Sequence, residues 1–218
     1  AFDSYGGDFD KKDYWEISEI GCVENGIAEK CYVDPMNCFL NVPKVLLLSL
    51  FKGVVNGRKI GEAYPTPQTY EELEENFYKE LKYIIHMYCS ETNRANPFYA
   101  DYFFRPLISA MVEGCIEKAT PVDQGGSVYW NKSVNCTGFA TAANCLAALK
   151  YAIYDKKLVT YDELCTALLN NWKGSEELQF TLKNKVEKYG NGCAEVDEIA
   201  KHLEEKYSEI VRGEKTYI

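Results

Sequence analysis

Thr137-Gly138-Phe139-Ala140-Thr141-Ala142-Ala143-Asn144-Cys145-Leu146-Ala147-Ala148-Leu149-Lys150 is the stretch on which the fold turns. Thr137-Gly138 leads into a helix predicted from Phe139 to Tyr154. Upstream, Ser127-Val128-Tyr129-Trp130 is the best strand candidate, set off by the turn Pro121-Val122-Asp123-Gln124-Gly125-Gly126. A helix around Leu107 to Glu117 precedes that turn and carries Leu107, Met111 and Ile116. Thr69-Tyr70-Glu71-Glu72 is a capping box. It opens a long helix with the stripe Leu73, Phe77, Leu81, Ile84, Ile85 and Tyr88, before Pro97. Residues 57–68, with Pro65 and Pro67, read as a loop, and Asn41 to Val55 as a helix buried on every side. Residues 1–36 read as irregular. Downstream, the capping box Thr160-Tyr161-Asp162-Glu163 opens a helix to about Trp172. A helix from Glu176 to Tyr189 stops at Gly190-Asn191-Gly192, and a last one runs from Val196 to about Val211. The inventory is lopsided: roughly seven helices against one or two strands.

The bulk numbers narrow the function. The 218 residues are 46% hydrophobic and 26% charged, enough for one sizeable core or two small ones. A net charge of -9 opposes nucleic acid and anionic membranes as partners, since both demand Lys/Arg excess. The longest apolar run, Val42 to Val55, is broken by Pro43, Lys44, Ser49, Lys52 and Gly53 and is too short to span a bilayer. Ala1 to Asp8 lacks the basic and apolar regions of a signal peptide. The nine cysteines show no CxxC spacing, so a reduced, cytoplasmic chain is expected rather than a disulfide scaffold. Cys89, Cys115, Cys145 and Cys165 read as packing residues. The sequons at Asn131 and Asn135 read as incidental.

Gly21-Cys22-Val23-Glu24 places a thiol and a carboxylate two positions apart. Such a pair can aim both groups at one small molecule, one taking a hydrogen atom or proton and the other finishing the acid–base work. A cysteine hydrolase is the competing reading of Cys22. It needs a histidine to make the thiolate, and His86 and His202 carry no signature of that role. These two histidines make no zinc site either. Gly125-Gly126 is no phosphate loop, because no GK[ST] follows.

Several pieces in order resemble the glycyl radical enzymes. They are Pro106 to Met111, Gly114-Cys115-Ile116-Glu117-Lys118, Gly125 to Tyr129, Thr137 to Lys150, Asn171-Trp172-Lys173-Gly174 and Asn184 to Asn191. Together they are similar to the pyruvate formate-lyase-like domain of the family's dehydratase and decarboxylase branch, over about residues 13–210. The resemblance implies an α/β fold: a mostly helical fragment of a ten-stranded barrel, with the cysteine on an inner loop. Residues 1–36 would form the active-site loop region and residues 37–218 the mainly helical part. It also implies that Cys22 carries a thiyl radical and that Glu24 is the acid/base. Phe39 and Asn41 are tentative substrate-pocket residues, with core packing as the other reading.

The implied partners are a small-molecule substrate, a radical SAM activase that installs a glycyl radical, the remainder of the parent chain and a second copy of the full-length protein. No cofactor or metal is expected on this chain itself. Family members acting on pyruvate carry two adjacent cysteines, and Val23 stands against that reaction. Pro commonly follows the glutamate in polyol and choline eliminases, where this chain has Asn25. Dehydration or elimination is therefore expected, with arylacetate decarboxylation as the alternative. The family's Arg-Val-x-Gly-Tyr radical motif does not occur in the 218 residues, and Arg212-Gly213-Glu214 does not match it. That leaves a non-catalytic helical scaffold as a reading of another class, and it leads to the expectation that the fragment alone is inactive.

Overall fold

The computed structural model describes residues 10–19, 25–33, 38–131 and 133–215. In chain order, a 3₁₀ turn at Lys11–Glu16 leads to the strands β1 (Ile17–Glu19), β2 (Asn25–Ile27), β3 (Cys31–Val33) and β4 (Cys38–Asn41). Helix α1 (Val42–Leu50), strands β5 (Val54–Val55) and β6 (Arg58–Lys59), and helices α2 (Tyr70–Tyr102) and α3 (Pro106–Met111) follow. Strands β7 (Tyr129–Asn131) and β8 (Val134–Thr137) precede α4 (Phe139–Leu149), a π-helical turn at Lys150–Asp155, α5 (Tyr161–Leu169), α6 (Glu176–Asn184) and α7 (Ala194–Arg212). The strands pair in twos: β1 with β2 antiparallel, β3 with β7 parallel, β4 with β8, and β5 with β6 antiparallel.

The chain divides into two compact units. Unit one holds residues 1–39, 87–135 and 212–218; unit two holds residues 40–86 and 136–211. Unit two is built on helices. Asn41 caps α1 by accepting the Lys44 N–H at 3.1 Å. Val42, Val45, Leu46, Leu48 and Leu50 of α1 are buried and pack near α4, whose Ala142, Ala143 and Leu146 have no exposed surface. The hydroxyl of Tyr161 at the start of α5 donates to the Leu50 carbonyl at 2.8 Å, which holds the end of α1 against α5. The α2 stripe behaves as its spacing predicts, with Leu73, Phe77, Leu81 and Ile85 buried.

Glu80, on the same helix, is buried too, and its carboxylate accepts the Glu62 N–H at 3.0 Å. Burial raises its pKa, the main cause being loss of solvation. Gly61 fits here because it lacks a side chain: a Cβ would lie 1.6 Å from Glu80 Oε1. At the far end, Lys150 bridges Asp155 at 2.9 Å and Glu195 of α7 at 2.7 Å.

Several sequence expectations are corrected. The segment up to residue 36 is not wholly irregular, since β1, β2 and β3 lie in it; three-residue strands are too short to show alternation. Among the described residues there are eight short strands rather than one or two. The helix expected from Asn41 to Val55 stops at Leu50, where Phe51, Lys52 and Gly53 turn, the last two at φ 53° and 77°. Helix α2 runs through Pro97 to Tyr102. Its last turns are held by burial of Ala100 and by Tyr99 stacking on Phe103 at 4.9 Å.

The helix expected over Leu107 to Glu117 is only the six residues of α3, because Val112 is extended and Gly114 takes φ 95°. The helix expected from Phe139 to Tyr154 changes to π geometry at Lys150. Cys115 is buried as expected, but Cys145 is exposed. The cysteines among the described residues form no disulfide.

Candidate active site

Strands β1 and β2 form an antiparallel pair with Ile17 opposite Ile27, Ser18 opposite Gly26 and Glu19 opposite Asn25. The connection between them is residues 20–24, which contains Gly21-Cys22-Val23-Glu24. Cys22 and Glu24 themselves lie outside the described residues. The structure therefore defines what carries the pair, in unit one, and not the pair's own geometry.

The chain entering this hairpin is fixed by side chains. Asp10 accepts the Lys12 N–H at 3.2 Å and starts the 3₁₀ turn. Asp13 is 3% exposed. One of its carboxylate oxygens meets Lys30 Nζ at 2.8 Å, and the other accepts the Tyr129 hydroxyl at 2.8 Å. Lys30 also reaches Glu16 at 3.1 Å, while the Asp10 N–H donates to the Tyr129 hydroxyl oxygen at 2.9 Å. The Lys30 ammonium, then the Tyr129 hydroxyl, hold the Asp13 carboxyl below its ordinary value. Hydrogen bonds to Asp13 and Glu16 raise Lys30 in turn.

The chain leaving the hairpin is fixed by backbone. Glu29 accepts the Glu113 N–H at 2.7 Å, Lys30 accepts the Tyr129 N–H at 2.9 Å, and β3 then pairs with β7. Ile27 is 1% exposed, and its N–H donates to Cys31 Sγ at 3.1 Å. Burial pushes the Cys31 thiol up, so it stays protonated at neutral pH.

A second polar cluster involves Tyr32 of β3. The Tyr32 hydroxyl lies 3.0 Å from Asp123 Oδ1, and the Arg105 guanidinium donates to that same hydroxyl. Arg105 also donates to the Tyr99 hydroxyl at 2.9 Å and lies 3.4 Å from Asp123. Its charge sits over the Tyr32 and Tyr99 rings at 5.7 and 5.6 Å.

Phe39 and Asn41 lie on β4, where alternation buries Leu40 and turns both neighbours outward. Phe39 is 68% exposed, so it packs in no core, and Asn41 spends its side-chain oxygen on the α1 cap. Neither lines the open apolar cleft of about 300 Å³ between Phe104, Pro106, Cys115 and Thr120 in unit one. Sequence reading missed Asp13, Lys30, Tyr129, Tyr32, Arg105 and Asp123. Tyr129 and Asp13 stand 116 positions apart and Tyr32 and Asp123 stand 91 apart, so no local spacing announces either contact.

Among the described residues, no group of three His, Cys, Asp or Glu could hold a metal ion, and no helix is long and apolar enough to cross a membrane.

Comparison with known proteins places the chain. It is 34% identical over 202 residues to trans-4-hydroxy-L-proline dehydratase of Clostridioides difficile, a match covering 90% of this chain and 25% of that protein. It is 28% identical over 223 residues to indoleacetate decarboxylase of Tractidigestivibacter scatoligenes, with the same coverage of each. Its fold matches the glycerol-bound B12-independent glycerol dehydratase of Clostridium butyricum with a TM-score of 0.89 at 25% identity, over 98% of this chain and 28% of that one. The chain thus spans about a quarter of the length of these relatives. Its architecture is a mostly helical α/β part of the barrel that they share. The profile described as pyruvate formate lyase-like matches residues 5–218, nearly the whole sequence, and the chain belongs to that family, the family of the glycyl radical enzymes.

Proposed function

We propose that this chain carries the thiol and the carboxylate of a glycyl-radical lyase that dehydrates, or otherwise eliminates from, a small organic substrate. One observation carries the reading. Gly21-Cys22-Val23-Glu24 falls in the connection between paired β1 and β2, in a family member whose relatives include dehydratases and decarboxylases.

A glycyl radical, installed in the full-length protein by a radical SAM activase, supplies the unpaired electron when present. No Arg-Val-x-Gly-Tyr motif occurs in these 218 residues, so the roles below are those of this chain's own groups. Cys22, as a thiyl, takes a hydrogen atom from a substrate carbon and becomes a thiol again. Glu24 carries the proton that leaves a substrate hydroxyl or that the departing hydroxyl needs to leave as water. The product radical then takes the hydrogen atom back from Cys22, restoring the thiyl. Hydrogen atoms and protons balance over the cycle, and the net change is loss of water.

Val23 opposes a pyruvate-cleaving reaction, which in the resembling enzymes uses two adjacent cysteines. Decarboxylation of an arylacetate is the second reading, favoured by the 28% identity to indoleacetate decarboxylase. A compartment that keeps thiols reduced, such as the cytoplasm, suits the cysteines of the described residues, which form no disulfide.

The test is anaerobic activation of the full-length protein, with electron paramagnetic resonance and product analysis. A glycyl doublet is expected, with turnover abolished in Cys22→Ser and the doublet retained in Glu24→Gln. Activity in air without a doublet, or turnover by Cys22→Ser, defeats the reading; a protein with neither doublet nor turnover is the non-catalytic scaffold.

A further inference from the structure

We propose that residues 61–68 form a strap along α2 that Glu80 holds while its carboxyl is uncharged and releases when it ionises, a pH-sensitive device within unit two. The inference is independent of the reaction proposed above and concerns a group that reaction does not use.

The strap lies along one face of the helix. The Glu62 N–H donates to Glu80 Oε2 at 3.0 Å, Asn76 Nδ2 donates to the Pro65 carbonyl at 3.1 Å, and the Gln68 N–H donates to Glu72 Oε2 at 2.7 Å. Residues 80, 76 and 72 are four apart, so each step of three along the strap moves about one turn back along α2. Where the strap begins, the Ile60 and Gly61 N–H groups both donate to the Gly53 carbonyl, at 2.8 and 3.0 Å. Gly61 and Pro67 are buried, so the strap is packed down as well as hydrogen-bonded.

Of the three helix residues that hold it, Asn76 is half-buried and Glu72 exposed, and their bonds can be exchanged for bonds to water. Glu80 differs, being 0% exposed. Its Oε2 takes one N–H, and its Oε1 has no hydrogen-bond partner among the described residues. A buried carboxylate needs more donors than this, whereas the neutral acid carries no charge to desolvate. The titratable groups facing it are the Glu62 carboxyl and the Tyr64 phenol of the strap, with Tyr83 of α2 beside Tyr64. None of them is a cation, and Glu62 works against a second negative charge.

Loss of solvation, then Glu62, raises the Glu80 carboxyl above its ordinary 4.5, while the Glu62 N–H and the Tyr64 hydroxyl pull the other way. Burial raises the Tyr64 phenol too, so it does not titrate in the same window. With the strap open, Glu80 meets water and titrates near its ordinary value. The closed strap is therefore held fully below pH 4.5 and loses its hold as pH rises through the raised value.

The test is hydrogen exchange of the Glu62 amide in the full-length protein from pH 4.5 to 8, corrected for the intrinsic pH dependence of exchange. Protection is expected to fall by about tenfold per pH unit, the slope of one linked proton, and to level off once Glu80 is ionised in the closed state. The Leu81 and Ile85 amides of α2 are expected to stay protected. Glu80→Gln keeps an uncharged acceptor and is expected to hold the protected level at every pH. Glu80→Ala removes the acceptor and should leave the Glu62 amide fast throughout, and Glu62→Gln should keep the wild-type slope. Protection in the wild type that does not change with pH overturns the device, as does a slope that survives in Glu80→Gln. Equal loss at Leu81 and Ile85 overturns it too, because the helix and not the strap would then be opening. Should Glu80→Gln fail to fold, the wild-type profiles of the Glu62, Leu81 and Ile85 amides decide the matter.

Discussion

Unit two keeps Phe77, Leu81, Ile85, Leu146 and Leu203 wholly buried, whereas unit one buries few large side chains and exposes many. Among the described residues, all but five of the buried hydrophobic side chains belong to unit two; the five are Ile27, Cys89, Ala100, Cys115 and Val122. Unit one instead turns Trp15, Phe98, Tyr102, Phe104, Leu107, Met111 and Ile116 toward solvent. What orders unit one is polar: Asp13 with Lys30 and Tyr129, and Asp123 with Tyr32 and Arg105. Apolar burial is non-directional and contributes about 1.5–3 kcal/mol per large side chain. Charge-assisted hydrogen bonds contribute less net stability but fix direction. The hairpin that carries Cys22 and Glu24 lies in the unit where direction is fixed this way.

The largest expected effect breaks the comparison if it fails. Phe77→Ala empties a fully buried site in unit two and is expected to cost about 3–5 kcal/mol. Leu107→Ala, at a residue 76% exposed in unit one, is expected to change stability by less than about 0.5 kcal/mol. Denaturant unfolding followed by hydrogen exchange in each unit measures both, and equal losses would erase the distinction.

Unit one nonetheless has a tight point. Gly126 packs so closely that a Cβ would lie 1.9 Å from the Thr120 carbonyl oxygen, a backbone atom that cannot swing away. Gly126→Ala is expected to cost about 1–3 kcal/mol, read as a lower thermal midpoint for unit one and faster exchange at β7.

Acid separates the units by sign. Asp13 is held below its ordinary 3.8, so its contribution is full above that value and is lost as pH falls through the depressed folded value. Glu80 is raised above 4.5 by burial, so unit two gains stability as pH falls from the raised value toward 4.5. Exchange rates corrected for intrinsic pH dependence should therefore slow around Glu80 on mild acidification while β1 and β2 hold. Below pH 3.8 the hairpin should loosen. Glu80→Gln should flatten the first response and leave the second intact.

What was legible in the sequence divides along the same line. Helix starts and stripes depend on residues three or four apart, so the α2 stripe and the α5 cap could be read directly. Even there, the first capping box forms only in part: Thr69 caps the Glu72 N–H at 3.2 Å, but the Glu72 carboxylate takes the Gln68 N–H at 2.7 Å. Pro97 reads locally as a stop, yet α2 runs on to Tyr102, with Ala100 buried and Tyr99 stacked on Phe103. Strands of two to four residues hold too little alternation to be seen. In the site, the motif marked Cys22 and Glu24 because its chemistry is local. The contacts that join the flanks of β1 and β2 come from residues 13, 30 and 129, which only the fold brings together.

The smallest effect tests the legible side of the comparison. At the start of α5 in unit two, the Glu163 N–H donates to Thr160 Oγ1 at 3.3 Å and the Thr160 N–H donates to Glu163 Oε2 at 2.8 Å. Two amides that the helix leaves open are thereby satisfied by neighbours in sequence, with no help from the core. Thr160→Ala removes one acceptor and is expected to cost about 1 kcal/mol, while Thr160→Ser keeps the hydroxyl and should cost less. Exchange at the first turn of α5 should quicken in the alanine variant and stay near wild type in the serine variant. The β1–β2 hairpin of unit one should show no change in either, because its order comes from contacts that this cap does not touch.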